Sequence, residues 1–358
     1  MPRTIAHLDM DAFYVAVELL RRPELVGKPV IVAGSGPRAV VTTASYEARP
    51  YGVGSAMPVA HAKRRCPDLI HLPVDHPHYR ERSRAVMALV DELGVPTQPA
   101  SLDEVYLDLS SLPDPVSQMS TLVRNIRDRL SLHASVGMGP NRLVAKVASD
   151  AEKPRGFVVL TREQAARRFA AEPARLIPGI GPKTAERLEA LGVKTIGDLQ
   201  AYPTAELISR FGQSHGRGLH ERAHFRDDSP VARGQLKSRS IETTFDYDIA
   251  DVARLEQVLG EQATRLGGEL RERNLRGRTI GIKVRLDDWT TVTRVHTIAG
   301  PTDDGELIAA TALSLLRAYA PPRPVRLIGV RVAGFADESA ASPAAAAGPE
   351  ALSLLPAA

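Results

Sequence analysis

The chain has 358 residues, 43% of them hydrophobic and 25% charged, the composition of a globular protein long enough for two or three cores rather than one. Its 46 basic residues are nearly matched by 42 acidic ones, so the net charge of +4 favours a polyanionic partner without singling one out. The lone Cys66 excludes an internal disulfide, no stretch approaches the roughly 20 apolar residues of a bilayer span, and no secretory signal opens the sequence, so a cytoplasmic protein is expected.

In chain order, residues 4–9 read as a strand running into a helix over 12–22 that Pro23 stops. Residues 29–33 and 40–44 are short apolar, β-branched runs around Gly34-Ser35-Gly36-Pro37, which predicts a hairpin. A helix over 58–65, a linking segment around 72–77 and a helix over 79–93 follow. A strand, turn and strand are predicted within 102–109, then a helix over 116–131, a strand over 134–138 and a helix over 142–151. This order implies an α+β sheet core, with residues 20–75 as a small insertion. Cys66, beside Pro67 and far from any His-paired motif, reads as a packed small hydrophobe.

Beyond Pro173 the texture changes to helices punctuated by Pro and Gly, with no strand candidate until about residue 238, which predicts a separate helical domain. From there the pattern is strand, helix over 251–273, strands over 279–286 and 290–298, helix over 303–319 and strand over 325–332. That βαββαβ order predicts a sheet with helices on one face. The Ala-, Ser- and Pro-rich residues 337–358 are expected to be disordered.

Two acidic groups stand out. Asp9 and Asp11 lie two apart at the end of an apolar strand, and a strand continuing through both would put them on one face, where a divalent cation best offsets their repulsion. Hard oxygen ligands without Cys or His suit Mg²⁺ or Mn²⁺ rather than zinc. Asp103 and Glu104 are adjacent in a β-rich run, so a turn or bulge is needed if both are to reach one ion. Each pair alone reads as a solvated strand end. Two such clusters on neighbouring strands are what a two-metal displacement requires.

Asp9-Met10-Asp11-Ala12-Phe13-Tyr14, Thr43-Ala44-Ser45-Tyr46-Glu47-Ala48-Arg49, Ser101-Leu102-Asp103-Glu104 and Lys153-Pro154 occur in that order. Jointly they resemble the Y-family DNA polymerases, in the bacterial DNA polymerase IV branch, and the resemblance runs from residue 5 to 335. It implies an α+β multidomain right hand with palm (1–19 and 76–165), fingers (20–75), helical thumb (166–232), linker (233–238) and little finger (239–336). The activity it implies is low-fidelity, template-directed primer extension past DNA damage by a monomer, with two Mg²⁺ ions and Mn²⁺ as an alternative. By the same resemblance Asp9 and Asp103 bridge the ions, Glu104 holds the one beside the primer hydroxyl, and the Met10 carbonyl completes the other; Asp11 matches the motif but is not counted among the ligands. Thr43, Tyr46, Arg49 and Lys153 would grip the incoming triphosphate, and Tyr14 would be the steric gate against a ribose 2′-hydroxyl. Pro50 and Gly54 stand where relatives often carry basic residues, and Arg155 where Asn is common.

Pro178-Gly179-Ile180-Gly181-Pro182-Lys183 before a Leu-rich helix reads as a helix-hairpin-helix element, whose exposed N–H groups at Gly179 and Gly181, with Lys183, suit a DNA phosphate. In the last unit Lys237, Arg239, Arg276, Arg278, Lys283, Arg285 and Arg294 fall on strands and turns while Glu256, Glu261, Glu269 and Glu272 fall on a helix, which predicts one basic face for duplex binding. Glu350-Ala351-Leu352-Ser353-Leu354-Leu355-Pro356 faintly resembles the peptide with which bacterial polymerases bind a sliding clamp, with Ala351 where Gln is usual. The competing readings are a two-metal nuclease, which has no need of a triphosphate group, and a non-catalytic DNA-binding or clamp-bound scaffold, which has no need of intact acids.

Overall fold

The run Ile-Ala-His-Leu-Asp-Met forms the first strand, β1 (Ile5–Met10), and all six of its residues are buried. Both faces of β1 are therefore covered, as in a central strand. It opens the first of two compact units, residues 1–234 and 235–358, in a computed structural model that describes residues 3–232 and 234–335.

In the first unit β1 is followed by α1 (Phe13–Arg21), β2 (Val30–Ala33), β3 (Val41–Ala44), α2 (Val59–Arg65), β4 (Ile70–Pro73), α3 (His76–Asp91), β5 (Thr97–Pro99), β6 (Glu104–Asp108), α4 (Pro115–Leu130), β7 (Ala134–Gly139), α5 (Arg142–Asp150) and β8 (Phe157–Val159). One sheet has the order β5-β6-β1-β7-β8, with β1 antiparallel to both neighbours. Strand alternation divides its faces. Ala6, Leu8 and Met10 join Val105, Leu107, Val136 and Met138 in a core that includes Val86 and Leu89 of α3 and Met119, Leu122 and Ile126 of α4. His7 and Asp9 point the other way, toward α5. That helix lies directly on β7 at Gly137, where a Cβ would meet the Ala145 carbonyl at 2.1 Å. Its start is fixed by Asn141, which accepts the Val144 N–H at 2.9 Å and donates to the Phe225 carbonyl at 2.8 Å.

A second sheet, β3-β2-β4, backs onto α2 with a core of its own that includes Ile31, Val41, Ala62 and the buried Cys66. Then α6 (Arg162–Arg168), α7 (Pro182–Glu189), α8 (Ile196–Ala201), α9 (Thr204–Phe211) and α10 (Gln213–Ala223) gather around Phe169, Ile177, Leu188, Ile196, Leu207, Leu219 and Phe225. Thr161 and Thr195 begin α6 and α8 with reciprocal capping boxes through Gln164 and Asp198.

The second unit comprises β9 (Ser238–Ile249), α11 (Val252–Arg271), β10 (Gly277–Leu286), β11 (Thr291–Thr302), α12 (Gly305–Tyr319) and β12 (Val325–Phe335), an antiparallel sheet ordered β11-β10-β12-β9. Ile280, Ile282, Val284, Ile328, Val330 and Val332 form a core with Leu259 and Leu266 of α11 and Ile308 and Leu316 of α12. The two helices meet closely at Gly267, where a Cβ would lie 2.6 Å from the Gly305 Cα.

Three strands differ from the sequence reading. Residues 70–73 form β4 rather than a plain linking segment, held by parallel pairing to β2 with Val30 opposite Ile70. Residues 157–159 form β8, paired in parallel to β7 at the sheet edge. Runs this short carry no period of their own and are fixed by their partners. The turn expected within 102–109 ends at Asp103, because the strand before it, β5, lies upstream at 97–99. The tail reading at 337–358 lies outside the described residues.

Candidate active site

Asp9 stands opposite Glu104 of β6 on one side and Ser135 of β7 on the other, and residues so paired share a face of the sheet. Asp103 reaches the same place from a turn. The Ala100 and Ser101 N–H groups donate to the Glu104 carbonyl at 2.9 and 3.3 Å, and the Met10 N–H donates to the Asp103 carbonyl at 3.0 Å. The Ser101 hydroxyl accepts the N–H groups of Asp103 and Glu104 at 3.2 and 3.0 Å and donates to the Asp103 carboxylate. One serine therefore shapes the turn that lets adjacent acids serve one centre.

Asp11 is placed differently from its sequence expectation. β1 ends at Met10 and Ala12 adopts a left-handed conformation with φ 45°, so no continuous strand aligns Asp9 with Asp11. The Asp11 carboxylate is buried; its Oδ1 accepts from Tyr46 at 3.0 Å and Ser135 at 2.8 Å, and its Oδ2 accepts the Arg155 N–H at 2.8 Å. It is an anchor between the two sheets of the first unit.

Two ammonium groups fill the acid cluster. Lys146 reaches Glu104 at 2.7 Å, Asp9 at 3.2 Å and Asp150 at 3.3 Å. Lys153 reaches Asp9 at 2.6 Å and Asp150 at 2.7 Å. Four carboxylates (Asp9, Asp103, Glu104, Asp150) against two ammonium groups leave two negative charges. Burial opposes ionisation of Asp9 most strongly, yet Lys153, then a hydrogen bond with Glu104, and then Lys146 hold its carboxyl below the usual range. Burial raises Asp103 and Glu104, and in both the neighbouring Asp9 adds to the rise. Burial disfavours the Lys146 cation, but Asp150, Glu104 and Asp9 outweigh it and raise its pKa.

An all-oxygen cluster with surplus negative charge fits a hard divalent cation. Among the described residues no three or more His, Cys, Asp or Glu are already arranged around an ion position. Lys146 and Lys153 hold the carboxylate oxygens instead, so a cation held by Asp9 and Glu104 would take the place of an ammonium group. Lys146, Asp150, Ser101 and Ser135 received no role from sequence. The available signal was the spacing of Lys146 and Asp150, one turn apart on the helix that Lys153 follows.

Tyr14 stacks on the buried Tyr79 ring with centroids 4.2 Å apart, and His76 meets it edge-on at 6.2 Å. The Tyr79 hydroxyl donates to buried Glu18 at 2.8 Å, which fixes the lower ring. Burial and then the Asp103 charge raise the Tyr14 hydroxyl pKa, so it stays neutral. Of the four residues expected to share one triphosphate, Arg49 lies 4.0 Å over the Tyr46 ring, and Thr43 is half-buried on β3 opposite Val32. Lys153 instead sits among the acids.

The remaining expected residues lie elsewhere. Gly179 adopts φ +90°, where a Cβ would meet the Arg222 Nη1 at 2.3 Å; Gly181 is exposed before α7, and Lys183 is exposed in its first turn. In the second unit Lys237 precedes β9 and is exposed, and alternation puts Lys283 and Arg285 on the face opposite the helix-packed Ile282 and Val284. Lys283 pairs there with Glu242 at 2.7 Å. Arg239 does not share that face: it donates to Glu269 of α11 and stands in the same alternation as buried Ile241. Arg294 likewise lies over the Tyr319 ring of α12. The basic residues are thus divided between the two faces, because a strand alternates its side chains whatever their charge.

Residues 8–150 match the impB/mucB/samB family, 236–345 match the C-terminal domain of that family, and 175–224 match the DNA polymerase-iota thumb domain. DNA polymerase IV of Streptomyces coelicolor is 41% identical over 343 residues, spanning 93% of this chain and 71% of that protein. DNA polymerase IV of Methanoculleus marisnigri is 42% identical over 338 residues, spanning 92% and 94%. A solved Y-family DNA polymerase chimera of Dbh and Dpo4 aligns with a TM-score of 0.80 at 26% identity, covering 93% of this chain and 99% of that one.

Proposed function

The chain belongs to the impB/mucB/samB family of Y-family DNA polymerases, and from that premise we propose that Asp9, Asp103 and Glu104 form the catalytic centre of its DNA synthesis. It is a DNA-directed DNA polymerase of the translesion class, with the right-hand fold of that class. Polymerases of this family are in general dependent on divalent metal. The observation that carries the assignment is the surplus of two negative charges where Asp9 and Glu104 stand opposite each other in register.

Asp9, Asp103, Glu104 and the Met10 carbonyl would hold two Mg²⁺ ions, with Mn²⁺ as an alternative. Bound there, the ions lower the pKa of the primer 3′-hydroxyl and neutralise the triphosphate. Ser101 keeps Asp103 and Glu104 in position through its three hydrogen bonds. Lys153 and Lys146 favour the ionised form of Asp9, and they keep Asp9, Glu104 and Asp150 close together until substrate and metal arrive. Lys153 then turns to the triphosphate, joining Thr43, Tyr46 and Arg49, whose forked guanidinium suits phosphate oxygens. Tyr14, braced by Tyr79, closes the space beside C2′ and so excludes ribonucleotides.

We assign the palm to 1–19 and 76–165, the fingers to 20–75, the thumb to 166–232, the linker to 233–238 and the little finger to 239–336. The cores around Ile31 and Ile282 each fall within one assigned part, in support of the fingers and the little finger, whereas the core around Leu8 also takes in Val30, Val32 and Leu72 and the core around Leu188 takes in Leu143, Val144 and Val147. Primer-template DNA would run past Gly179, Gly181 and Lys183 and over Lys237, Lys283 and Arg285. A monomeric state, a cytoplasmic location and a sliding-clamp contact through 350–356 complete the proposal; that segment lies outside the described residues, and among the described residues no helix is long and apolar enough to cross a membrane.

Incubation of the full chain with a labelled primer on a longer template, four deoxynucleotides and Mg²⁺ tests the reading. Stepwise lengthening is expected. Shortening of the primer without nucleotides would replace it with a nuclease, and salt-sensitive binding without extension would replace it with a scaffold.

A further inference from the structure

A cleft of about 220 Å³ lies between β6, α5 and the Pro178 loop, lined among others by Tyr106, Arg142, Lys146, Pro178 and Arg222. Its cations are unequally engaged. Lys146 is held by the acid cluster and Arg226 pairs with Glu221 at 3.3 Å. The one acid lining the cleft, Asp227, already accepts the Ser229 N–H at 3.0 Å. Arg142 and Arg222 have no carboxylate partner among the described residues. Arg222 donates only to carbonyls, those of Gly218 at 2.9 Å and Pro178 at 3.0 Å. Arg142 lies 4.5 Å over the Tyr106 ring, and its Nε is buried without any acceptor. Two guanidinium charges without a carboxylate leave this cleft with uncompensated positive charge, so an anionic acceptor supplied from outside the chain would complete the site.

Spacing says what that acceptor is. Glu104 and Tyr106 are two residues apart on one face of β6, about 6.6 Å along the strand. Lys146 and Arg142 are four apart on α5, about 6 Å along the helix axis. Because Lys146 touches Glu104, the Tyr106–Arg142 pair lies one step back from the acid cluster, toward the loop that carries Gly179. A single nucleotide of DNA backbone bridges that step. A strand ending at Glu104 therefore brings a phosphodiester to Arg142, and a planar guanidinium fixed on an aromatic ring offers it a preset fork.

We propose that Arg142, assisted by Arg222, binds the phosphodiester joining the last two nucleotides of the primer and so positions the 3′-hydroxyl at Glu104. The proposal rests on the polymerase reading above. It makes Arg142 a positioning residue that recognises charge rather than base, and it explains how a primer end enters a region whose own carboxylates repel it.

The test combines Arg142→Gln with primers carrying a neutral methylphosphonate at that one linkage, read as kcat/KM for single-nucleotide extension. With the wild type, neutralising the linkage lowers kcat/KM about tenfold, the scale of one charge-assisted hydrogen bond. Arg142→Gln on the natural primer gives a similar loss, Arg142→Lys recovers part of it, and variant and methylphosphonate together lose no more than about twofold further. A methylphosphonate eight linkages back multiplies with the variant instead of overlapping it. The proposal is overturned if the terminal linkage and the variant also multiply, or if the wild type is indifferent to the neutral linkage, an arm that depends on no variant folding. Failure of the wild type to extend the natural primer overturns the polymerase reading, and this inference with it.

Discussion

Replacing Lys146 with methionine keeps the apolar stem and removes the charge that three carboxylates share. Truncating one partner of a buried ion pair costs about 3–5 kcal/mol. Here the lysine side chain is 20% exposed and Lys153 remains on Asp9 and Asp150, so about 2 kcal/mol is the appropriate scale. For a unit of this size that corresponds to a fall of about 4–8 °C in the unfolding midpoint. If the lysines hold the place of metal, a divalent cation takes over the lost charge: Lys146→Met should recover more than half of its deficit in MgCl₂ but not in NaCl of equal ionic strength, and should gain more from MgCl₂ than the wild type does. Thermal melts followed by far-ultraviolet circular dichroism at pH 7.5 and a fixed scan rate measure all four conditions. An unchanged midpoint, or equal gains from Mg²⁺ in both proteins, would refute the idea that lysines hold the place of metal.

Other outcomes follow from single residues. His7 is buried, bonded to Ser149 at 2.8 Å, and burial followed by the Lys146 charge lowers its pKa from 6.5 to about 3. The unfolded chain therefore binds a proton that the folded chain refuses: the stability is complete above pH 6.5 and is lost as pH falls toward 3, with a slope of up to about 1.4 kcal/mol per pH unit. Urea midpoints of His7→Gln should fall less steeply than wild type between pH 6.5 and 4, and parallel curves would contradict this. Tyr14→Ala should lower discrimination between deoxy- and ribonucleotides by about tenfold or more, as expected when a clash is removed from a pocket; unchanged discrimination in single-nucleotide insertion would remove Tyr14 as the gate. Arg155 holds φ 63°, which costs an ordinary L residue about 1–2 kcal/mol. Asn tolerates that region, so Arg155→Asn should raise the unfolding midpoint by about 2–4 °C, and a lower midpoint would show that the arginine side chain contributes more than its backbone loses.

The sequence was most informative where a pattern is local. The run through β1, the Gly34–Pro37 hairpin and the βαββαβ order of residues 238–335 each carry their period or turn chemistry in consecutive residues, and the elements lie within a few residues of their expected bounds. That Asp9 would meet the Asp103-Glu104 pair was legible because each motif is contiguous and the two fall on adjacent strand ends. What was hidden depends on contacts across the chain. Nothing near Asp11 announces that Tyr46, Ser135 and Arg155 will saturate it, since these lie 35, 124 and 144 residues away. Lys146 looks like one more helical lysine until α5 settles on Gly137 and brings it to Glu104. Arg239 was grouped with Lys283 by charge, although strand parity and Glu269 place it on the helix side.

The central claim is that Asp9, Asp103 and Glu104 together perform template-directed synthesis. The most direct test compares extension of a labelled primer in Mg²⁺ by the wild type and by Asp103→Ala, with circular dichroism and DNA binding measured on both. Deoxynucleotide addition by the wild type and a loss of at least about a thousandfold in the folded, DNA-binding variant is the predicted result, the scale expected for removal of a metal ligand from a two-ion centre. Extension by Asp103→Ala at a rate near that of the wild type would contradict the account.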